Sequence, residues 1–529
     1  MRLASLFLPS LLASAALVGC GGREEVWDST PGAFIAHGLA DAAALVDTSG
    51  ERALVLPVKA DLTLDPVSIP IGRGFASSAT TADGKRLVVL ARGDVPRLLP
   101  DDQGPLLSVI QSGAAPGLVF GYDLGDPLSG LALDPESRFA VVYPSEADTS
   151  FVANPNELSI VDLSAGPSDA NPTPLTLRSF GGRPQGFFFT PMLGIPGGAR
   201  RLLAVLTDRD VGIIDLSEPQ KGDITVRLSS SGEKLVPAQI AVTDGDPALD
   251  DDARLAIRVA NDSSVILVDL LPAAAGEATK AHSFRPTPNV VFAGGVPTDI
   301  AFVNTDGGLR LAALVPAQRS LTLIDPATGI PSSVALDAPF ERISIVTGVV
   351  GATASGADMA LLWSTSSASV AFVALGSTVG KPYKSVERLE LEMPVAAVYD
   401  VPAPNDRLKI LAGVDQRSFY VLDLIARTAS PILASDGALF SVAPDGRRAW
   451  MMAPSQPQIA KLDLTSLHPK NLFLTQPVAA AFDVARAGGG RALLAMHATP
   501  NVGVTVLDGE SPALETATTY ASVLLGDLQ

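Results

Sequence analysis

The sequence predicts an all-β chain, a β-propeller of repeated antiparallel four-stranded blades, and three observations predict it. A pattern of turn, arginine and short apolar run recurs ten times, at a period of about 49 residues. The apolar runs are four to six residues long, which suits strands and is too short for helices. Glycine and proline number 47 and 42 in 529 residues, which supplies turns and leaves little room for long helices.

The first marker is the arginine. It stands at Arg52, Arg86, Arg138, Arg201, Arg254, Arg310, Arg407, Arg448 and Arg491, and Asp358 fills the same slot ahead of MALLW. A turn precedes it, as in Asp83-Gly84-Lys85 before Arg86 and Asp445-Gly446-Arg447 before Arg448. The second marker is an apolar pair ending in aspartate, 14 or 15 residues after the arginine in the regular units. It gives Asp162, Asp215, Asp269, Asp325, Asp423, Asp463 and Asp508, with Ala374 in the slot of the Asp358 unit. Between the markers lie two apolar runs joined by polar turns such as TDRD, ANDS and VDQR. A further run precedes each arginine, as in Ile300-Ala301-Phe302-Val303. Three to four short strands per unit, joined by tight turns, is what a propeller blade requires.

This repeat resembles the YVTN-type propeller repeats of bacterial surface proteins, over most of residues 42 to 510. Several units lack the Tyr-Val-Thr-Asn core, and the marks of WD40 and kelch blades do not recur. Ten units exceed the four to eight blades usual in a ring, so one large ring is expected, with two smaller rings as the alternative. A parallel β-solenoid is the competing fold. The interval from Arg52 to Arg86 is short, and units two to four carry insertions at Arg92–Gly117 and Ala165–Pro174. Ring closure is expected from pairing of residues 33–36 with residues 520–525, because an open edge invites aggregation.

The N-terminus carries an address. Arg2 is followed by an apolar run from Leu3 to Val18 and then by small residues, the order of an export signal. That run is too short for an ordinary membrane-spanning helix. Leu17-Val18-Gly19-Cys20 resembles the bacterial lipoprotein box, and Cys20 is the only cysteine. The resemblance implies acylation of Cys20, and Gly21 after it implies sorting to the outer membrane. The expected organisation is a signal peptide over 1–19, a lipidated tether and possible closing strand over 20–40, and the repeat domain over 41–529. Multiple acyl chains hold a protein stably where one is marginal.

Composition excludes several functions. One cysteine rules out intrachain disulfides, cysteine zinc sites and iron–sulfur clusters. A net charge of −18 argues against a nucleic-acid partner. No linear motif for phosphate, zinc or nucleophile chemistry is present. The four histidines, His37, His282, His468 and His497, fall at unrelated points of the repeat and read as ordinary surface or loop residues. Each repeated aspartate reads as the cap of the turn that follows it. The arginines read as rim residues paired with nearby acids, with an arginine ring for an anionic ligand as the alternative. Asp244, Asp246, Asp250, Asp251 and Asp252 form an acidic loop, with oxygen ligands for calcium as the alternative.

These readings give no cofactor. They point to a binding or scaffold module held at the cell envelope, with a protein or surface ligand as partner. A hydrolase or lactonase with an axial metal held by carboxylates and Asn is the enzymatic alternative. A surface adhesin is the third reading, disfavoured by an aromatic content of 5%.

Overall fold

A computed structural model of the chain describes residues 34–521 and 523, apart from 114, 146–151, 153, 179–182, 230–233, 247–248, 274–281, 348–356, 378–381, 433–437, 453–455 and 498–502. Ten antiparallel four-stranded sheets follow one another along the sequence. Blades 1 to 10 span 34–70, 75–123, 130–176, 186–227, 237–292, 299–335, 342–390, 395–432, 438–473 and 478–520. Each is a meander, except that blade 4 inserts a small hairpin, Leu193–Ile195 with Gly198–Arg200, between its first two strands. Among the described residues the helical pieces are single 3-10 turns, and no helix is long and apolar enough to cross a membrane.

The second and third strands of each blade read as near-continuous apolar runs because both faces of the sheet are covered by neighbours. Leu202–Leu206 and Asp210–Asp215 in blade 4 are buried almost throughout. Ten apolar cores result, one between each pair of neighbouring blades. The tenth joins blade 10 to blade 1 and closes a single ring. It packs Ala43, Leu45, Leu54 and Leu56 against Val484, Leu494, Val504 and Val506.

Closure differs from the expected strand pairing. Phe34–Gly38 pairs with Ala42–Asp47 as the inner strand of blade 1, and Thr518–Tyr520 pairs with Val504–Asp508 as the outer strand of blade 10. Among the described residues the two chain ends therefore share no sheet, and residues 33, 522, 524 and 525 of the expected pairing lie outside them. Polar contacts fasten the seam instead: the Ala485 N–H donates to the Ala40 carbonyl at 2.8 Å, and the Leu64 N–H donates to the Tyr520 hydroxyl at 3.1 Å. The propeller also begins at Phe34, inside the segment read as tether.

Blade 1 explains the short first interval. In blades 2 to 10 the marker stands at or near the start of the second strand, as Arg86 and Arg254 do. Arg52 opens the third strand of blade 1, whose second strand is Ala42–Asp47. The insertion read over Arg92–Gly117 also contains a blade strand, Leu106–Gln111. The glycine of the marker turn is required by backbone geometry. Gly446 has φ of 63°, and a Cβ there would meet the Pro402 carbonyl oxygen at 2.0 Å.

The seam core yields a prediction. Leu494 is fully buried, and Leu494→Ala should lower stability by about 3 kcal/mol through lost burial and a residual cavity. Chemical denaturation followed by circular dichroism measures it, and a loss below about 1 kcal/mol would show that the seam is not a packed core.

Candidate functional site

The meander puts two kinds of loop on opposite faces of the ring. The first-to-second and third-to-fourth turns share one face, which carries the aspartate markers. The second-to-third turns and the blade-to-blade connections share the other, called here the connection face.

On the aspartate face the two markers meet. Oδ1 of Asp325 accepts the Ala327 N–H at 2.9 Å, and Arg310 lies 3.5 Å from Oδ2. Asp162 repeats this with Ser164 and Arg138, and Asp423 with Ile425 and Arg407. Turn bonds hold the Asp325 carboxyl below its ordinary value, against the opposing effect of burial. In blades 4 and 10 a neighbouring residue supplies the charge: Arg200 pairs with Asp215, and Arg486 with Asp508.

Arginines freed from that duty staple blades together. Arg86 donates to the Leu163 and Ser137 carbonyls at 2.8 and 2.6 Å, and so ties blade 2 to blade 3. Arg201, 6% exposed, reaches Asp134 and Glu136 of blade 3. Asp483 of blade 10 accepts from Arg448 at 2.8 Å, the Trp450 indole at 2.7 Å and Arg491 at 2.6 Å. In blade 7, Asp358 takes the Asn304 N–H of blade 6 at 2.8 Å, and burial raises its carboxyl pKa.

The other sequence candidates are not brought together. Cys20 lies outside the described residues. Asp244 caps the inserted hairpin by accepting the Gly194 N–H, Asp252 accepts the Asp246 N–H at 2.6 Å, and Asp250 and Asp251 are exposed. Among the described residues no three His, Cys, Asp or Glu side chains group as metal ligands.

The histidines correct the sequence reading, since only His468 is an exposed residue. His282 and His497 are buried, and His37 is half-buried on the inner strand of blade 1, 2.7 Å from the Ser78 hydroxyl of blade 2.

A site the sequence reading missed lies on the connection face at the inner end of blades 5 to 7. Gln239 and Asp299 stand near the starts of the inner strands of blades 5 and 6, and Arg342 opens that of blade 7. Arg258 projects beside them from the second strand of blade 5, where it pairs in register with Gln239. Arg258 Nε donates to Gln239 Oε1 at 3.0 Å, and Nη1 to the Pro297 carbonyl at 3.3 Å. Gln239 Nε2 donates to Asp299 Oδ1 at 2.5 Å, and Oδ2 of Asp299 accepts the Ile343 N–H at 2.9 Å. Asp299 forms no direct ion pair with either arginine among the described residues.

Half-burial disfavours the Arg258 charge and lowers its pKa, with Asp299 opposing and Arg342 adding to the effect. Glu341, next to Arg342, is turned to other donors: Thr365 Oγ1 at 2.9 Å and Ser366 Oγ at 3.1 Å. Burial opposes its ionisation, but these bonds win and hold its carboxyl below the ordinary value. The signal for this site lay in the repeat. Four residues after the marker, other blades carry Leu90, Val142, Val205, Leu314, Leu362 and Leu411, and blade 5 carries Arg258.

No family model matches the chain, and no curated protein matches it. Solved structures give distant matches over much of the chain. Dihydro-heme d1 dehydrogenase NirN in complex with DHE is 9% identical, with 84% of this chain and 74% of that chain covered at a TM-score of 0.40. AztD of Citrobacter koseri is 13% identical, with 74% and 95% covered at 0.34. A eukaryotic initiation factor is 11% identical, with 92% and 95% covered at 0.46. At these scores the likeness says nothing of this chain's chemistry.

The buried histidines give a pH prediction. Burial lowers the pKa of His37, His282 and His497 from the ordinary 6.5. The unfolded chain therefore takes up their protons first. Stability present above pH 6.5 is lost as pH falls from there to the depressed folded values. The melting temperature should drop between pH 7 and pH 5, about the window in which histidine titrates. The drop should be smaller in His497→Gln. An unchanged slope in that variant would show that His497 is not held neutral.

Proposed function

We propose that this chain is a non-enzymatic binding module of the cell envelope, a propeller lipoprotein anchored through acyl chains on Cys20. The observation that carries the binding role is the uneven rim. Most ring-end charges are consumed in turns and staples, whereas the inner end of blades 5 to 7 presents arginine charge with no ion pair among the described residues. A repeat that breaks its own apolar rule in one sector has a use for that sector. The size of the ring supports a sizeable partner. In at least six of the ten neighbouring pairs the inner strands approach within 8 Å between Cα atoms, and ten sheets spaced at up to about 10 Å would place facing inner strands roughly 25–30 Å apart.

Anchoring rests on the segment Leu17-Val18-Gly19-Cys20 after an apolar run. An acidic body gains no attraction from anionic lipid, so the acyl group has to supply the attachment. An outer-membrane address follows from Gly21 after the cysteine. The YVTN-type character of the repeats is consistent with an envelope protein that presents a ring face to a partner.

Membrane fractionation with labelled palmitate tests the anchor, parent beside Cys20→Ser. The parent should carry label in the membrane fraction. The variant should carry none and should stay folded, because Cys20 precedes the first blade at Phe34. A labelled variant or an unlabelled parent would remove the lipid anchor and the outer-membrane address together.

A further inference from the structure

We infer that Arg258 and Arg342 are the two cationic arms of a site for a carboxylate group of a ligand that meets the connection face at the ring axis. The inference deepens the binding-module reading and rests on it.

Geometry comes first. Gln239 Oε1 and the Pro297 carbonyl hold the Arg258 guanidinium by Nε and Nη1, which fixes the plane of the fork. No acceptor among the described residues engages Nη2. Arg342 is exposed, and its side chain has neither hydrogen bond nor ion pair among the described residues. It comes from the inner strand of blade 7, two blades round the ring from Arg258.

The intervening acids do not neutralise this pair. Asp299 is engaged on both oxygens: Oδ1 takes Gln239 and the Ile300 N–H, and Oδ2 takes the Ile343 N–H. Glu341 is tied to the Thr365–Ser366 turn. Two guanidinium groups stand against two carboxylates whose oxygens are turned to other donors, so the free donors of this sector belong to the arginines, on a chain whose net charge is −18. Long-range repulsion of an acidic ligand is screened beyond about 8 Å at physiological salt, so the local pair decides.

Chemistry then selects the ligand. A held, planar guanidinium matches the two coplanar oxygens of a carboxylate, and charge-assisted bonds of this kind are about twice as strong as neutral ones. Arg86 turns both Nη groups onto carbonyls, whereas Arg258 keeps Nη2 without an acceptor among the described residues. The inner strands of blades 5, 6 and 7 are each paired on one side only, and at this site their edge groups are taken within the protein, the Ile300 N–H by Gln239 and Asp299 and the Ile343 N–H by Asp299.

The test uses the full-length chain in detergent at about 0.15 M salt, the physiological ionic strength. Three probes are titrated: a fluorescein-labelled peptide alternating Thr and Glu, its Thr–Gln counterpart, and glutarate. The Thr–Glu peptide and glutarate should bind, and the Thr–Gln peptide should bind at least about tenfold more weakly, one charge-assisted contact's worth. Arg342→Gln should weaken the acidic probes by a similar factor with no change in melting temperature, because Arg342 is exposed. Arg258→Lys keeps the charge but loses the fork, and should weaken them too. Tighter binding of the peptide than of glutarate assigns the carboxylate to a protein partner, and equal binding assigns it to a small acid. Both outcomes uphold the site. No binding of either acidic probe, equal binding of the Glu and Gln peptides, or binding unaffected by both variants would overturn it. Palmitate labelling at Cys20 is read separately, so failure here leaves the anchor standing.

Discussion

Everything in this molecule depends on one packed seam. Blade 1 is built wholly from the start of the described chain and blade 10 wholly from its end, so no strand is shared across the closure. A ring that borrows a strand closes with a ladder of backbone hydrogen bonds. This ring closes with a side-chain core and isolated backbone bonds such as Ala485 to Ala40, and the seam core must equal the other nine in quality. Its composition explains how. Ala43, Ala492 and Val484 allow the sheets to approach closely, and Leu45, Leu54, Leu56 and Leu494 fill the volume between them. The same small and branched residues recur in every core, which is why the chain is apolar yet poor in aromatic rings.

Charge is organised around that packing. A buried carboxylate is costly unless hydrogen bonds satisfy it. Asp483 meets that condition with two arginines and an indole, and it lies between blades 9 and 10, next to the seam. Asp134 meets it on one oxygen only: Oδ1 takes Arg201 and the Glu136 N–H, and the buried Oδ2 has no partner among the described residues. Each network joins neighbouring blades at the aspartate face, where the apolar cores end and water would enter. The repeated aspartates do a smaller task by capping single turns with one oxygen and leaving the other for an arginine.

Much of this was legible in the sequence. The period, the strand lengths and the turn chemistry follow from local rules: an apolar run covered on both faces, an Asp before a tight turn, a glycine where φ is positive. Those rules act within a few residues, so a linear reading finds them. The register of blade 1 was hidden because Arg52 and Asp47 make the same ion pair at the second turn that other blades make between the second and third strands. The mode of closure was hidden because side-chain packing between residues some 450 positions apart leaves no local pattern. The burial of His282 and His497 was hidden because it comes from packing around each imidazole and not from a pattern along the strand. Arg258 was different: aligning the units would have exposed it as a charge in an apolar slot, and the search for catalytic spacings passed over it.

The sector of blades 5 to 7 has meaning only if the ring is one ring. Gln239, Asp299 and Ile343 come from three successive inner strands, and the hydrogen bonds between them require those strands to face a common axis. End-on electron micrographs of the purified chain test this most directly. A single closed ring with ten radial blades and a central opening is the predicted image. Two smaller rings, or an open crescent with a gap between the first and last blades, would contradict the account.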